Sequence, residues 1–339
     1  MNVLRASRVA ALLFCTTAAQ ADPLAEAVAG VVEATEPSVV QLRYFGAGGE
    51  SLGAAGAPVT GYDLGDGWVL TSLYGLGDGV EGVLCLTPDG AQQTAQVVGR
   101  DESRRLALLR LAGAGSDAPP RIDGRDARLG ETVVAFGRVY DRQSTTTTVG
   151  IVSATGRLGG RAVQTDALVS PTNYGGPLVA LDGRVVGLLT PLAGPGMRGV
   201  DLYDSGIGFA VTTAQINARL AAMAAGETVR QGWLGASFPR EDPLRSPARI
   251  ESLAEGGPAA EAGLAEGDVL LALDGHDVPT CWALRAVLSG LDAGATVQVD
   301  YQRDGERRPV DAVLGDRPAR EQPPVPELEI GAEKNPDEP

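Results

Sequence analysis

Residues 164–179 read Gln-Thr-Asp-Ala-Leu-Val-Ser-Pro-Thr-Asn-Tyr-Gly-Gly-Pro-Leu-Val and include the hydroxyls of Ser170 and Thr172. A hydroxyl is a weak nucleophile until a base takes its proton. Imidazole is the usual base because it titrates near neutral pH. The chain has one histidine, His276, far away in sequence, and a single lysine, Lys334. A Ser–Lys dyad would therefore have to draw on the extreme C-terminal region. Cys281 lies five residues from His276, but no cleft signature surrounds the pair, which reads as a core residue and a loop residue. No His/Cys/Asp cluster has zinc-ligand spacing, and the sequence calls for no metal or cofactor. Hydrolysis by Ser170 or Thr172 would have no base in sight.

The elements around these residues read as short strands divided by glycine turns. Residues 24–36 form a helix ending near Pro37. Residues 39–44, 68–72, 83–86, 96–99 and 106–111 then read as one β unit. After a Gly/Ala/Pro-rich connector at 112–121, residues 133–136, 145–153, 162–165, 177–180, 185–190 and 208–211 form a second. Many short strands with glycine turns suit barrels or sandwiches. Residues 213–225 are helical, with Ile216, Leu220 and Met223 on one face. Residues 230–316 form a third unit. The tail at 317–339 is rich in proline and acid and reads as disordered.

Residues 1–21 read as a secretory signal: Arg5 and Arg8, an apolar run from Val9 to Cys15, and the small-residue site Ala19-Gln20-Ala21. Phe14 before Cys15 argues against lipid attachment. No segment is apolar enough to span a bilayer, so the expected location is periplasmic or secreted. Cleavage after Ala21 removes two of the 28 basic residues and leaves 26 against 43 acids, a net charge of −17. That charge disfavours nucleic acid as a partner. Cys85 and Cys281 fall in different units and read as buried small hydrophobes.

Several segments together resemble the HtrA/Deg family of PDZ-containing serine proteases. These are Gly130-Glu131-Thr132-Val133-Val134-Ala135-Phe136-Gly137, Gly150-Ile151-Val152-Ser153-Ala154, Gln164-Thr165-Asp166-Ala167, Gly206-Ile207-Gly208-Phe209-Ala210-Val211 and Arg230-Gln231-Gly232-Trp233-Leu234-Gly235. The resemblance covers roughly residues 25–316. It implies a mostly β chain: two chymotrypsin-like six-stranded β-barrels at 22–229, then one α+β PDZ domain at 230–316. It also places the catalytic positions. The family serine, in Gly-Asn-Ser-Gly-Gly-Pro, corresponds to Tyr174. The family histidine corresponds to Tyr74, in Leu70-Thr71-Ser72-Leu73-Tyr74. The family aspartate corresponds to Arg105, before Leu106-Ala107-Leu108-Leu109. Tyrosine, with a pKa of about 10, is a poor base at neutral pH. An arginine would repel an imidazolium rather than orient it. Thr172 replaces the glycine that opens the family loop, which puts the oxyanion hole in doubt.

The resemblance also implies a peptide groove. Trp233-Leu234-Gly235-Ala236 resembles the carboxylate-binding loop, whose N–H groups hold a peptide C-terminus. The peptide would add as a strand beside Ala236-Ser237-Phe238. Thr280 is expected to cap a helix running to about Leu291, with Leu284, Val287 and Leu288 along the groove. The alternative is that these leucines are core. Tyr74 and Tyr174 either plug the old cleft or form an aromatic pocket for an extended peptide.

The leading expectation is an exported pseudoprotease that binds peptide C-termini or unfolded segments as sensor, adaptor or holdase. The alternatives are a serine-type endopeptidase with an unorthodox site, and a non-catalytic subunit joining an active HtrA relative. The family's common trimeric state makes a homotrimer a further expectation. The insert at 46–58 is too short for a long-loop cage.

Overall fold

The computed structural model describes residues 22–46, 51–52, 58–77, 79–113, 116, 118–140, 143–192 and 205–316. The expected signal segment and the expected disordered tail lie outside the described residues, as does most of the insert.

The chain opens with helix α1 (Pro23–Thr35), whose first turn is closed by the Asp22 carboxylate accepting from the Leu24 N–H at 3.0 Å. The first barrel follows. Its strands are β1 (Val39–Phe45) with the short β2 (Ser51–Leu52) on it, β3 (Val59–Gly65), β4 (Trp68–Ser72), β5 (Gly82–Leu86), β6 (Gln92–Asp101) and β7 (Leu106–Leu111). The order β6-β5-β1-β3-β4-β7 closes because β7 also pairs with β6. The sequence reading missed β3, whose Gly61, Asp63 and Gly65 look like turn residues. Gly61 is there for packing: a Cβ would lie 2.9 Å from Val69 Cγ1.

The second barrel contains β8 (Thr132–Gly137), β9 (Thr146–Gly156), the turn α2 (Arg157–Gly160), β10 (Ala162–Thr165), β11 (Pro177–Ala180), β12 (Val185–Leu189) and β13 (Gly208–Thr212). It closes in the order β10-β13-β12-β11-β8-β9. The helical stretch after it is two short helices, α3 (Thr213–Asn217) and α4 (Leu220–Ala224), rather than one. Strand β14 (Thr228–Val229) then runs parallel to β6.

Each barrel has its own interior. Leu42, Val69 and Leu109 fill the first; Ala135, Val152 and Leu178 fill the second. A separate apolar layer joins them: Leu70, Leu106 and Leu108 pack with Phe136, Val179, Leu188, Ile216 and Met223. That layer fixes one barrel against the other and so fixes the seam between them.

The last unit has β15 (Gly232–Trp233), β16 (Ala236–Ser237), β17 (Ser252–Leu253), α5 (Pro258–Glu261), β18 (Val269–Leu273), β19 (His276–Asp277), α6 (Cys281–Gly290), β20 (Thr296–Arg303), β21 (Glu306–Val313) and β22 (Gly315–Asp316). Its core is built on Leu234, Ile250, Leu270, Leu284, Val297 and Val299. Thr280 caps α6 as expected, its Oγ1 accepting from the Ala283 N–H at 3.2 Å. Cys85 and Cys281 are free and buried, as expected.

Candidate functional site

Tyr74 and Tyr174, distant in sequence, meet at the seam, and the Arg105 backbone lies beside the Tyr74 turn. Tyr74 lies in the turn after β4, where its N–H donates to Ser72 Oγ at 3.1 Å. The neighbouring Leu73 N–H donates to the Arg105 carbonyl at 2.8 Å, tying that turn to the one between β6 and β7. Arg105 holds a left-handed backbone with φ of 61° and an exposed side chain. Tyr174 comes from the second barrel, in the loop before β11, and is only 6% exposed. The two tyrosine rings meet edge to face, with centroids 5.3 Å apart and planes at 63°. Gly175 makes this approach feasible: its φ is 92°, and a Cβ there would lie 2.0 Å from the Thr60 carbonyl oxygen.

Three successive amides of the Tyr174 loop point into the loop itself, whereas the Gly175 N–H donates to the Leu189 carbonyl at 2.8 Å. The Thr172 N–H donates to Ser170 Oγ at 3.3 Å, the Asn173 N–H to the Ser170 carbonyl at 2.9 Å and the Tyr174 N–H to the Pro171 carbonyl at 3.4 Å. The Thr172 carbonyl accepts from Thr60 Oγ1 at 2.7 Å. Thr172 itself keeps a negative φ, a backbone conformation that its β-branched side chain tolerates. Ser170 Oγ and Thr172 Oγ1 lie 2.7 Å apart, each hydroxyl bonded to the other rather than to a base. His276 is exposed on β19 of the last unit. Burial pushes the Cys85 thiol up to about 12, and burial also raises Cys281, so neither is a ready thiolate.

A second candidate surface lies in the last unit. Gly235 has φ of 77°, and a Cβ there would meet Pro258 Cδ at 2.9 Å. The Leu234 carbonyl accepts from the Ala259 N–H, and the Gly235 carbonyl from the Ala254 N–H, both at 2.8 Å. In a trans peptide the N–H points opposite to the C=O. The N–H groups of Gly235 and Ala236 therefore face away from α5 and β17. The Ser237 carbonyl accepts from the Glu251 N–H, so the Phe238 N–H faces the same open edge. Helix α6 spans this stretch: the Cys281 N–H donates to the Ser246 carbonyl beyond one end, and the Gly232 N–H donates to the Leu291 carbonyl at the other. Val287, Leu288, Trp233 and Ala236 are half buried. Leu234 and Leu284 are 2% and 0% exposed, so they belong to the core and offer no groove surface. The reason is the helix stripe: Leu284 shares its face with the fully buried Cys281.

The trypsin-like peptidase domain profile matches residues 59–188, and the PDZ domain profile matches residues 232–314. A probable periplasmic serine endoprotease, DegP-like, from Pseudomonas fluorescens is 31% identical over 74% of this chain and 54% of its own length. The HtrA-type protease AlgW, solved with a tripeptide, superposes with a TM-score of 0.65 at 26% identity, over 86% of this chain and 97% of that one. The serine endoprotease from Yersinia pestis does so at 0.62 and 25%, over 85% and 97%. This chain belongs to the HtrA family. It spans about half the length of the curated relatives it matches.

In this HtrA chain a buried ionic cluster joins the barrels to the PDZ domain. Arg104 is wholly buried and reaches Asp101 at 3.1 Å and Asp292, on the PDZ side, at 2.9 Å. Its Nε and Nη2 donate to Gln215 at 3.1 and 2.9 Å, and its Nη1 also donates to Ser103 Oγ at 3.0 Å. Arg219 pairs with the other Asp292 oxygen. Beside it, Arg161 donates to the Ser103 carbonyl at 2.7 Å, and burial next to Arg104 lowers its pKa to about 10. Gly159, with φ of 70°, packs so closely on α6 that a Cβ would lie 2.3 Å from the Ala286 carbonyl oxygen. The sequence reading missed this cluster. Asp101 and Arg104 at i and i+3 were a local signal; Asp292, 188 residues from Arg104, had none.

Proposed function

We propose that this chain is an exported, catalytically silent HtrA-type protein. It captures peptide C-termini or exposed unfolded segments through its PDZ groove and acts as sensor, adaptor or holdase in envelope protein quality control. The observation that carries the silent reading is the Tyr74–Tyr174 contact. By the family correspondence, two aromatic rings occupy the space where a base and a nucleophile would stand, and Arg105 stands where a carboxylate would orient the base. Hydrolysis also needs N–H donors aimed at the developing oxyanion. The Thr172 and Tyr174 amides are already engaged within their own loop.

The groove supports the binding half of the reading. Donors at Gly235 and Ala236 suit a carboxylate, donors at Ala236 and Phe238 suit an added strand, and Val287 and Leu288 suit an apolar side chain. The periplasmic name of the relatives supports an envelope location. Among the described residues no helix is long and apolar enough to cross a membrane.

The test has two arms on the same preparation. One follows cleavage of a fluorescently labelled unfolded protein. The other titrates a labelled decapeptide ending in valine, as the free acid and as the amide. The expected result is no cleavage above the level of a Ser170→Ala/Thr172→Ala control, and binding at least tenfold weaker for the amide. Cleavage that the control abolishes would show an enzyme. Equal affinity for acid and amide would remove the C-terminus-reading role.

A further inference from the structure

We propose that a segment of this chain's own C-terminal region, residues 327–330 with the sequence Glu-Leu-Glu-Ile, occupies the PDZ groove and competes with outside peptides; this rests on the groove reading above. The first support is an unsatisfied edge. Among the described residues β16 pairs with β17 alone, and its Ala236 and Phe238 N–H groups face the other way. An open edge flanked by half-buried apolar side chains is a template for one more strand.

The second support is where the chain leaves the described structure. Strand β22 pairs Asp316 with Gly232 and Gly315 with Trp233, beside the carboxylate loop at one end of the groove. Helix α6, ten residues long, measures about 15 Å. Residues 317–326 reach roughly 33 Å when extended. They are long enough to pass the groove and return antiparallel to β16.

The third support is the pattern of the segment. Pro323, Pro324 and Pro326 lack the N–H that a ladder needs, and Gly331 follows. Between them Glu327-Leu328-Glu329-Ile330 alternates acidic and apolar residues. In a strand Leu328 and Ile330 share one face, which turns them toward Val287 and Leu288 and leaves the glutamates in water. A short tether holds such a segment at an effective concentration on the order of millimolar, so weak intrinsic affinity suffices.

The experiment compares the full chain with a full-length Leu328→Glu/Ile330→Glu variant, which alters no residue of the folded units. Methyl NMR reads Val287 and Leu288, and the valine-ending decapeptide reads access to the groove. The expected result is displaced Val287 and Leu288 methyl resonances, with probe binding at least tenfold tighter in the variant. Displaced methyls without probe binding to the variant would uphold the internal strand and sink the C-terminus-reading function. Unchanged methyls overturn the internal strand. In that case, equal probe binding by both chains leaves the groove reading standing, and binding by neither removes both.

Discussion

Tyr74 of the first barrel and Tyr174 of the second stack edge to face across the barrel seam, 5.3 Å between centroids. One ring is half exposed and the other buried. The contact joins two folding units as a packed aromatic pair, which favours this geometry by about 0.5–1.5 kcal/mol beyond area burial.

That pair should couple in a double-mutant cycle. Tyr174→Ala, which empties a buried site, is expected to cost about 3 kcal/mol. Tyr74→Ala should cost less, and the two together should fall short of additivity by about 1 kcal/mol. Urea unfolding of the four chains measures this. Strict additivity would mean that the rings merely share the seam.

On the silent reading proposed above, installing the family side chains should not by itself produce an enzyme. In the variant Tyr74→His/Arg105→Asp/Tyr174→Ser, the Thr172 amide still donates to Ser170 Oγ. Loss of one oxyanion donor costs about 10²–10³ in rate. Cleavage of an unfolded protein by this variant is expected to stay near background. Adding Thr172→Gly should raise it, because glycine frees the loop backbone. Full activity without Thr172→Gly would show that the loop amides are not limiting.

Removing the PDZ partner of Arg104 should be costly. Asp292→Ala leaves the wholly buried Arg104 side chain with Asp101, Ser103 and Gln215. Breaking a buried pair typically costs 3–5 kcal/mol. The partners that remain reduce the expected loss to about 2 kcal/mol, read by denaturant unfolding. The PDZ domain should also loosen from the barrels, seen as a larger radius of gyration in solution scattering. An unchanged radius together with unchanged stability would show that the cluster does not hold the domains together.

Acid should weaken the PDZ domain through Asp268. Burial alone would raise its carboxyl, but Arg303 at 2.7 Å and the Ala265 N–H hold it below the usual range. A carboxyl depressed in the folded state contributes stability that is present above its unfolded value of about 3.9. That contribution is lost as pH falls through the lower folded value. Arg303→Gln should lower stability at pH 6 and flatten the loss between about pH 4 and pH 3. A variant with the same acid slope as the parent would place the linkage elsewhere.

Much of the fold was legible because its signals are local. The second-barrel strands announce themselves by short apolar runs between glycines, and α6 by Thr280 at its cap. Strand β3 was illegible because Gly61 serves the packing of Val69 rather than a turn. Family correspondence singled out Tyr74, Arg105 and Tyr174, and the structure brings the two tyrosines into contact. The shared helical face with Val287 and Leu288 placed Leu284 in the groove, where burial puts it in the core.

By itself the sequence determined two β units, a PDZ-like unit and a chain with nucleophiles but no nearby base. The tertiary structure alone decided that two tyrosines touch, that the Thr172 and Tyr174 amides turn into their own loop, and that Arg104 meets an aspartate 188 residues away. The reason is physical. Periodicity, caps and glycines act over a few neighbouring residues, so the sequence carries them openly. Contacts across a barrel seam or between domains depend on how closed barrels and a shared apolar layer set distant loops in space.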